Sequence, residues 1–284
     1  PLRDLLRTPP DALKPLFDMQ FQGQLNDSQF GVQAGALNYV LSRFSELSWA
    51  AKDNLPAVRH LSGALSWEPK EGHLNLDSEN VTLAINKKPT LDMEFVNASM
   101  SWKSLAHGLR VTIGRGVLKH QHAVLSLRGV LNNVSSDLKD TTVDGSLSFG
   151  MHDATFWWPY LPEKGLKPKL KTWFEQDVTK IQQLSGRMQL KGALQDFPFD
   201  TTPGEFLVTG AMDGVSLRFN PVWPLVNQIT GTFRLDKRLL TLDVSEADFQ
   251  DIPMEHASIT VRNLGLNHEV LLAKGVTRAP LEAM

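Results

Sequence analysis

The side chains that could carry chemistry in this sequence are few and dispersed. His120 and His122 are two residues apart, so on a strand both would project from one face, as metal ligands can. No Asp or Glu stands near them in the sequence to complete a ligand set, so we interpret them as solvated histidines and predict no metal site. Asp196 and Asp200 flank a Phe-Pro-Phe segment, a pattern typical of a turn rather than of paired catalytic carboxylates.

Motifs of the common enzyme classes are absent from the sequence. It contains no G-x-S-x-G nucleophile elbow, no phosphate-binding Gly loop, no G-x-G-x-x-G and no H-E-x-x-H. Gly114-Arg115-Gly116 follows a strand pattern, but no helical pattern comes after it, so we predict a hairpin turn there. We therefore predict no catalytic residue, no cofactor and no enzymatic activity.

Charge and cysteine content exclude further classes of protein. The formal net charge is -2, whereas a broad nucleic-acid surface needs clustered Lys and Arg. The absence of cysteine excludes disulfides and thiolate metal sites. No run approaches the roughly 18 apolar residues of a transmembrane helix, and the chain begins at Pro1. We therefore expect a segment of a longer protein, with any membrane anchor outside it.

Most of the sequence alternates apolar and polar residues, which is the two-residue period of a β-strand. In the run Leu109, Val111 and Ile113, for example, the apolar side chains share one face, and the intervening Thr112 faces the other way. Turn signals rich in Pro, Gly, Asn and Asp separate the runs. One dry and one wet face per strand is typical of antiparallel sheets, so the sequence predicts a mainly β, antiparallel fold.

A ten-residue pattern occurs three times, beginning at Val58, Ile181 and Val226. It reads β-branched, two polar residues, aliphatic, Ser or Thr, Gly, any residue, apolar, any residue, apolar. We predict that the central Gly permits a bulge or a bend as the strand enters the sheet. Serial repetition predicts growth along one axis, so we expect residues 1–284 to form a single elongated repeat segment.

One segment has the periodicity of a helix, and a second candidate is weaker. The first has its apolar face at Leu166, Leu170, Trp173, Phe174 and Val178, and we predict that it acts as a lid or plug on the sheet. The second is the Pro-interrupted stretch 11–17. The aromatic cluster 156–162 has two interpretations: core packing where the helix closes over a sheet edge, or a rim of amphipathic rings at a membrane surface.

Several short motifs in residues 156–264 occur together in a fixed order. They are Tyr160-Leu161-Pro162, Trp173-Phe174, the run from Leu190 to Phe199, Gly204-Glu205-Phe206, Val215-Ser216-Leu217, the run from Asn220 to Pro224, and Gly231-Thr232-Phe233. As a series they resemble the YhdP branch of the AsmA-like family. The resemblance implies a long, curled antiparallel sheet that forms an open groove, with one or two short helices. It also implies a periplasmic segment of an inner-membrane-anchored protein of a Gram-negative bacterium, which moves or organises phospholipid between the two membranes.

On this interpretation the partners are phospholipid acyl chains, a membrane reached through segments outside this chain, and other envelope proteins, but no nucleic acid. The residues predicted to share one continuous concave face and to bind lipid are Leu74, Leu76, Leu83, Ile85, Phe95, Val111, Ile113, Leu125, Leu127, Leu147, Phe149, Met188, Leu190, Phe233, Leu235, Leu240 and Leu242. The alternative is a structural or adhesive β-sandwich whose core is filled by its own side chains. Alternation does not separate the two, because both bury one face of each strand.

Overall fold

The computed structural model of the chain describes residues 20–34, 36–52, 55–85, 87–135, 138–161, 168–219, 222–250 and 252–277. The helix candidate at 11–17 and the predicted helical residue Leu166 lie outside these ranges. No helix in the described ranges has the length and apolar character needed to cross a bilayer.

The described residues form one antiparallel sheet in which each strand pairs with the strand next to it in the sequence. Its fourteen strands are β1 (Gln22–Gln33), β2 (Ala36–Trp49), β3 (Ala57–Glu68), β4 (Glu71–Ala84), β5 (Thr90–Leu105), β6 (Gly108–His120), β7 (Ala123–Val134), β8 (Thr142–His152), β9 (Val178–Ala193), β10 (Gly204–Leu217), β11 (Val226–Asp236), β12 (Leu239–Phe249), β13 (Ile252–Arg262) and β14 (Val270–Thr277). The predicted mainly β, antiparallel fold is confirmed.

Helical structure within the described residues is confined to short pieces. A 3-10 segment spans Ala154–Tyr160, helix α1 spans Pro168–Asp177, and a 3-10 turn spans Leu194–Asp196. Helix α1 is the predicted helix, but it ends one residue earlier than expected, because Val178 already begins β9. Leu170, Trp173 and Phe174 are half-buried within it.

The chain divides into two compact units. The first comprises residues 1–147 and 191–197, and the second comprises 148–190 and 198–284. In the first unit the most deeply buried apolar side chains include Val81 and Met93, which are 1% and 4% exposed. The second unit has a core cluster from β9 to β13, against which Trp158, Trp173 and Phe174 also pack.

Bulges interrupt the pairing in the middle of most strands. In β4, Ser78 and Val81 are both buried, while Glu79 and Asn80 between them are both exposed, and Asn80 has a positive φ of 56°. Two consecutive residues thus face outward. The inward-facing residues of β4 therefore have even numbers before the bulge and odd numbers after it. A bulge of this kind bends the strand and increases its local twist.

The predicted hairpin turn at Gly114-Arg115-Gly116 is wrong, because these residues lie within β6 as another bulge. The pairing of β6 with β7 passes directly from Ile113 opposite Gly129 to Gly116 opposite Leu127. Gly114 and Arg115 therefore stand against one residue of β7, so β6 has one extra residue at this point, and both residues are exposed.

Register shifts end at the glycine of the threefold motif in the first and third copies, between Arg59 and Gly63 and between Thr230 and Gly231, so the predicted bulge is present there. In these two copies the residue with positive φ is the second polar residue of the motif, His60 at 62° and Gln228 at 53°, three positions before the glycine. The glycine of the first copy also leaves room for an aromatic ring. A Cβ added at Gly63 would lie 3.0 Å from Cζ of Phe44 and would collide with the carbonyl oxygen of Asn75. A methyl group there would push away the ring of the neighbouring strand.

Candidate functional site

The pairing of the strands shows which apolar side chains share a face, because directly opposed residues of antiparallel strands lie on the same side of the sheet. In the first unit, Leu74 is opposite Leu65 on one side and Met100 on the other, and Met100 is opposite Ile113. We call this side of the sheet the inner face.

Three further rows run parallel to this one on the inner face of the first unit. One contains Leu76, Ala98, Gly116 and Leu127 in direct succession from β4 to β7. The other rows hold the remaining predicted residues of β6 and β7: Val111 is opposite Trp102 and Leu131, and Leu125 is opposite Leu118. The structure thus brings together Leu74, Leu76, Val111, Ile113, Leu125 and Leu127.

Leu83, Ile85 and Leu147 lie further from the centre of this arrangement. Leu83 is opposite Val58 and Leu91, beyond the β4 bulge, in the most deeply buried part of the inner face. Ile85 follows the end of β4 and is 39% exposed. An ideal Cβ at Gly129 would lie 2.8 Å from Cα of Gly145, which places Gly145 on the inner face of β8. Leu147 follows Gly145 by two residues, so it lies on the same face.

The predicted position of Phe95 is wrong. Phe95 is opposite Glu79 on one side and Lys119 on the other, and both of these charged residues are exposed. Phe95 is the second residue of a β5 bulge, so it shares the outer face with Glu94, whose carboxylate lies 2.6 Å from Nζ of Lys119. Val96 takes the inner position instead and is 5% exposed.

The second unit has its own inner face, with its own rows. Phe233 is opposite Leu242, and Leu235 is opposite Leu240, as predicted for a common face. Phe149 lies against Gly186, since an added Cβ there would be 2.8 Å from Cζ of the ring. Met188 and Leu190 follow Gly186 at two-residue steps, which places them on the same face.

The exposure of these side chains divides the inner face into two zones. Beyond the bulges the residues are closed off, with Val81 at 1%, Val215 at 3% and Ile229 at 2% exposed. We call this part the closed zone. On the other side of the bulges lies the open zone, where the predicted apolar residues are all half-buried: Leu74, Leu76, Val111, Ile113, Leu125, Leu127, Leu147, Phe149, Met188, Leu190, Phe233, Leu235, Leu240 and Leu242. Apolar side chains remain accessible there in rows within each unit.

Helix α1 covers part of the closed zone of the second unit. Trp173 and Phe174 pack against the core cluster, and Nε1 of Trp173 donates a hydrogen bond to the backbone oxygen of Arg218 at 2.8 Å. The ring of Trp158 lies 5.2 Å from that of Phe174, between centroids. The core-packing interpretation of the aromatic cluster therefore holds for Trp158.

Charged residues lie on the outer face, and a histidine is buried on the inner face. Lys191 and Asp144 form an ion pair of 3.3 Å on the outer face. His120, predicted to be solvated, is instead on the inner face, opposite Met93 and Ala123, and is 6% exposed. The backbone N–H of His122 donates to Nδ1 of His120 at 3.1 Å.

Each unit of the chain therefore has an inner face with accessible apolar rows, and the comparisons with known proteins add the family. A family model described as YhdP protein matches residues 1–284. The chain belongs to the YhdP family. It is similar to the intermembrane phospholipid transporter YhdP of Escherichia coli (strain K12), with 22% identity over 228 residues. That match covers 74% of this chain and 17% of the relative, so the chain spans less than a fifth of the relative's length. No solved structure matches the chain.

The open zone of this YhdP family member contains residues that the sequence analysis did not select. Leu65, Trp67, Met100 and Trp102 lie in the same rows as the predicted residues of the first unit. Trp102 also lies against Gly72, where an added Cβ would be 2.6 Å from Cε2 of the indole. The signal was present, because these residues alternate with polar neighbours such as Ser66, Ser99 and Ser101.

Proposed function

We propose that this chain binds phospholipid acyl chains along the open zone of its inner face and so takes part in moving or organising phospholipid between the inner and outer membranes. The observation that carries the proposal is the exposure pattern: rows of Leu, Ile, Val, Met and aromatic side chains that are half-buried rather than buried. Monomeric soluble proteins rarely leave contiguous apolar surfaces open without a partner.

The energetics of such a surface suit a lipid. Burying one acyl chain of about sixteen methylenes contributes about 13 kcal/mol at about 0.8 kcal/mol each, before association and ordering costs. The contacts are non-directional, so an acyl chain can slide from one row to the next without breaking hydrogen bonds. Sliding of this kind fits transfer along a surface better than storage at one point.

The name of the relative supports a phospholipid ligand and a position between two membranes. It is named as an intermembrane phospholipid transporter. We accordingly propose a periplasmic position for this chain within a longer, inner-membrane-anchored envelope protein, with phospholipid as ligand and no enzymatic activity. That residues 1–284 act as one elongated repeat segment remains a prediction.

The alternative function, a structural or adhesive sandwich, requires a second sheet to fill the apolar face. In the part of the chain that the structure describes, all strands belong to a single sheet. A filled core would also bury Leu74, Leu76 and Ile113, which are half-buried. We therefore favour lipid binding.

The direct test is lipid extraction from the purified 284-residue chain, followed by mass spectrometry. We expect co-purified phospholipid in wild type and much less in a double variant with Leu76→Asp and Ile113→Asp. The matched control carries Asp at Asn75 and Thr112, which neighbour these residues on the outer face. Absence of phospholipid from the wild-type chain, or equal amounts in both double variants, would contradict the proposal.

A further inference from the structure

An apolar cavity of about 220 Å³ opens on the inner face of the second unit, between β11, β12, β13 and β14. Its lining includes Phe219, Val226, Ile229, Phe249, Ile259 and Ala273. The charged residue in the lining is Lys274, which is opposite Ser258 and so faces outward, while Ala273 is opposite Ile259 on the inner face. The cavity exceeds the engineered apolar cavities of about 150 Å³ that take up benzene, so it has room for a segment of hydrocarbon.

The cavity is continuous with the open zone. Ala273 is opposite Ile259, Ile259 is opposite Leu242, and Leu242 is opposite Phe233. An apolar chain held in the cavity therefore lies next to this row, which contains the predicted groove residues Leu242 and Phe233. No polar side chain interrupts this row.

The loop between β10 and β11 presents apolar side chains to solvent beside the cavity. Val222 is 85% exposed and Trp223 is 48% exposed, and Trp223 also lines the cavity. Indole rings prefer the boundary between water and hydrocarbon, where the N–H edge contacts water and the rest of the ring contacts hydrocarbon. An exposed Val-Trp pair on a loop tip fits a bilayer surface, into which such side chains insert.

We infer that this cavity is a portal through which a phospholipid acyl chain passes from a bilayer surface to the inner face, with Val222 and Trp223 as the membrane contact. The inference rests on the proposed function and adds the place of loading. Helix α1 is attached to the neighbouring end of β10, where Trp173 bonds to Arg218, and Phe219, the next residue, lines the cavity.

The test follows the rate at which the 284-residue chain takes up phospholipid from vesicles of phosphatidylethanolamine with a minority of phosphatidylglycerol. Photo-crosslinking residues are placed at Phe249 in the cavity, at Leu76 in the open zone of the first unit, and at the outward-facing Ser258. We expect labelling at Phe249 and Leu76 but not at Ser258. Trp223→Ser should slow labelling at both positions about tenfold while the final level stays the same.

The matched control is Leu138→Ser, which removes another 48% exposed apolar side chain, in the first unit. Each of the two side chains is 48% exposed, so both variants should fold. The inference is overturned if Trp223→Ser loads at the wild-type rate, if Leu138→Ser slows loading equally, or if Leu76 is labelled and Phe249 never is. Absence of labelling at both Leu76 and Phe249 would overturn the proposed function as well.

Discussion

The indole nitrogen of Trp173 in α1 donates a hydrogen bond to the backbone oxygen of Arg218, 45 positions later in the chain and directly after β10. The backbone N–H of Arg218 in turn donates to the carbonyl oxygen of Asp177 at 2.8 Å. The guanidinium of Arg218 lies 3.5 Å from the carboxylate of Asp177. Three interactions therefore attach the C-terminal end of α1 to the end of one strand, which fixes the helix over the closed zone.

Replacing Trp173 by Ala should destabilise the second unit by about 3–5 kcal/mol, because a large ring packed on the core cluster is lost. Trp173→Phe keeps a ring and loses the hydrogen bond, so it should cost about 1 kcal/mol. Urea unfolding followed by far-ultraviolet circular dichroism measures both. If Trp173→Ala leaves stability unchanged but lowers vesicle binding, the helix is a membrane contact and not a lid.

A methyl group at Gly63 should destabilise the first unit by about 1–3 kcal/mol, since it would displace the ring of Phe44 and meet the carbonyl oxygen of Asn75. The control is Gly114→Ala in the same unit. The nearest atom to a Cβ at Gly114 is the oxygen of Ser99 at 3.8 Å, and its φ is not positive. That variant should be neutral or more stable by up to about 1 kcal/mol. Equal melting temperatures for the two variants would refute the ring-on-glycine contact.

Two methionines of β5 share the inner face but lie in different zones. Met93 is 4% exposed in the closed zone, whereas Met100 is half-buried in the open zone. Met93→Ala should cost about 2–5 kcal/mol, and Met100→Ala roughly 1 kcal/mol, because water already reaches the second position. Adding phospholipid should stabilise wild type more than Met100→Ala. Equal costs without lipid would mean that the open zone is a filled core.

The bulge in β5 predicts a change of face over a few residues. A photo-crosslinking residue at Ala98 should label phospholipid, because Ala98 is half-buried in the row of Leu76. One at Phe95 should not, because Phe95 is on the face of Glu79 and Lys119. The yields are compared by mass spectrometry after loading with the same vesicles. Labelling from Phe95 but not from Ala98 would show that the strand pairs one residue out of register.

A carboxylate at Leu76 should lower phospholipid occupancy at least about tenfold, since an unpaired charge beside hydrocarbon costs more than about 1.4 kcal/mol. Folding should survive, because Leu76 is half-buried and the new group can reach water. Asn75→Asp, one residue away on the outer face, should change neither property. Unfolding of Leu76→Asp would favour a closed core.

Two-residue alternation was sufficient to predict the antiparallel sheet and the common face of Leu74, Leu76 and Ile113. It succeeded because side chains of a regular strand must alternate, whatever the partner strands do. The face of Phe95 could not be obtained in this way. A bulge forms where two residues of one strand are opposite a single residue of its partner. It is therefore a property of the pair of strands and not of one strand alone.

The threefold motif did contain a local sign of the bulge. Its two consecutive polar residues, Arg59 and His60 in the first copy, stand between Val58 and Leu61, which both face inward. Strict alternation would place Val58 and Leu61 on opposite faces, so the pair of polar residues marks the extra residue. The contact of Phe44 with Gly63 had no such sign, because it joins different strands.

The order of the strands has a consequence for how the chain reaches this state. Each strand pairs with its immediate predecessor, so every hairpin joins residues that are close in sequence. The entropic cost of loop closure is then small at each step, because no described strand pairs with a strand far away in the sequence. The described strands could therefore pair one after another from the N-terminal end, before the C-terminal part of the chain is available.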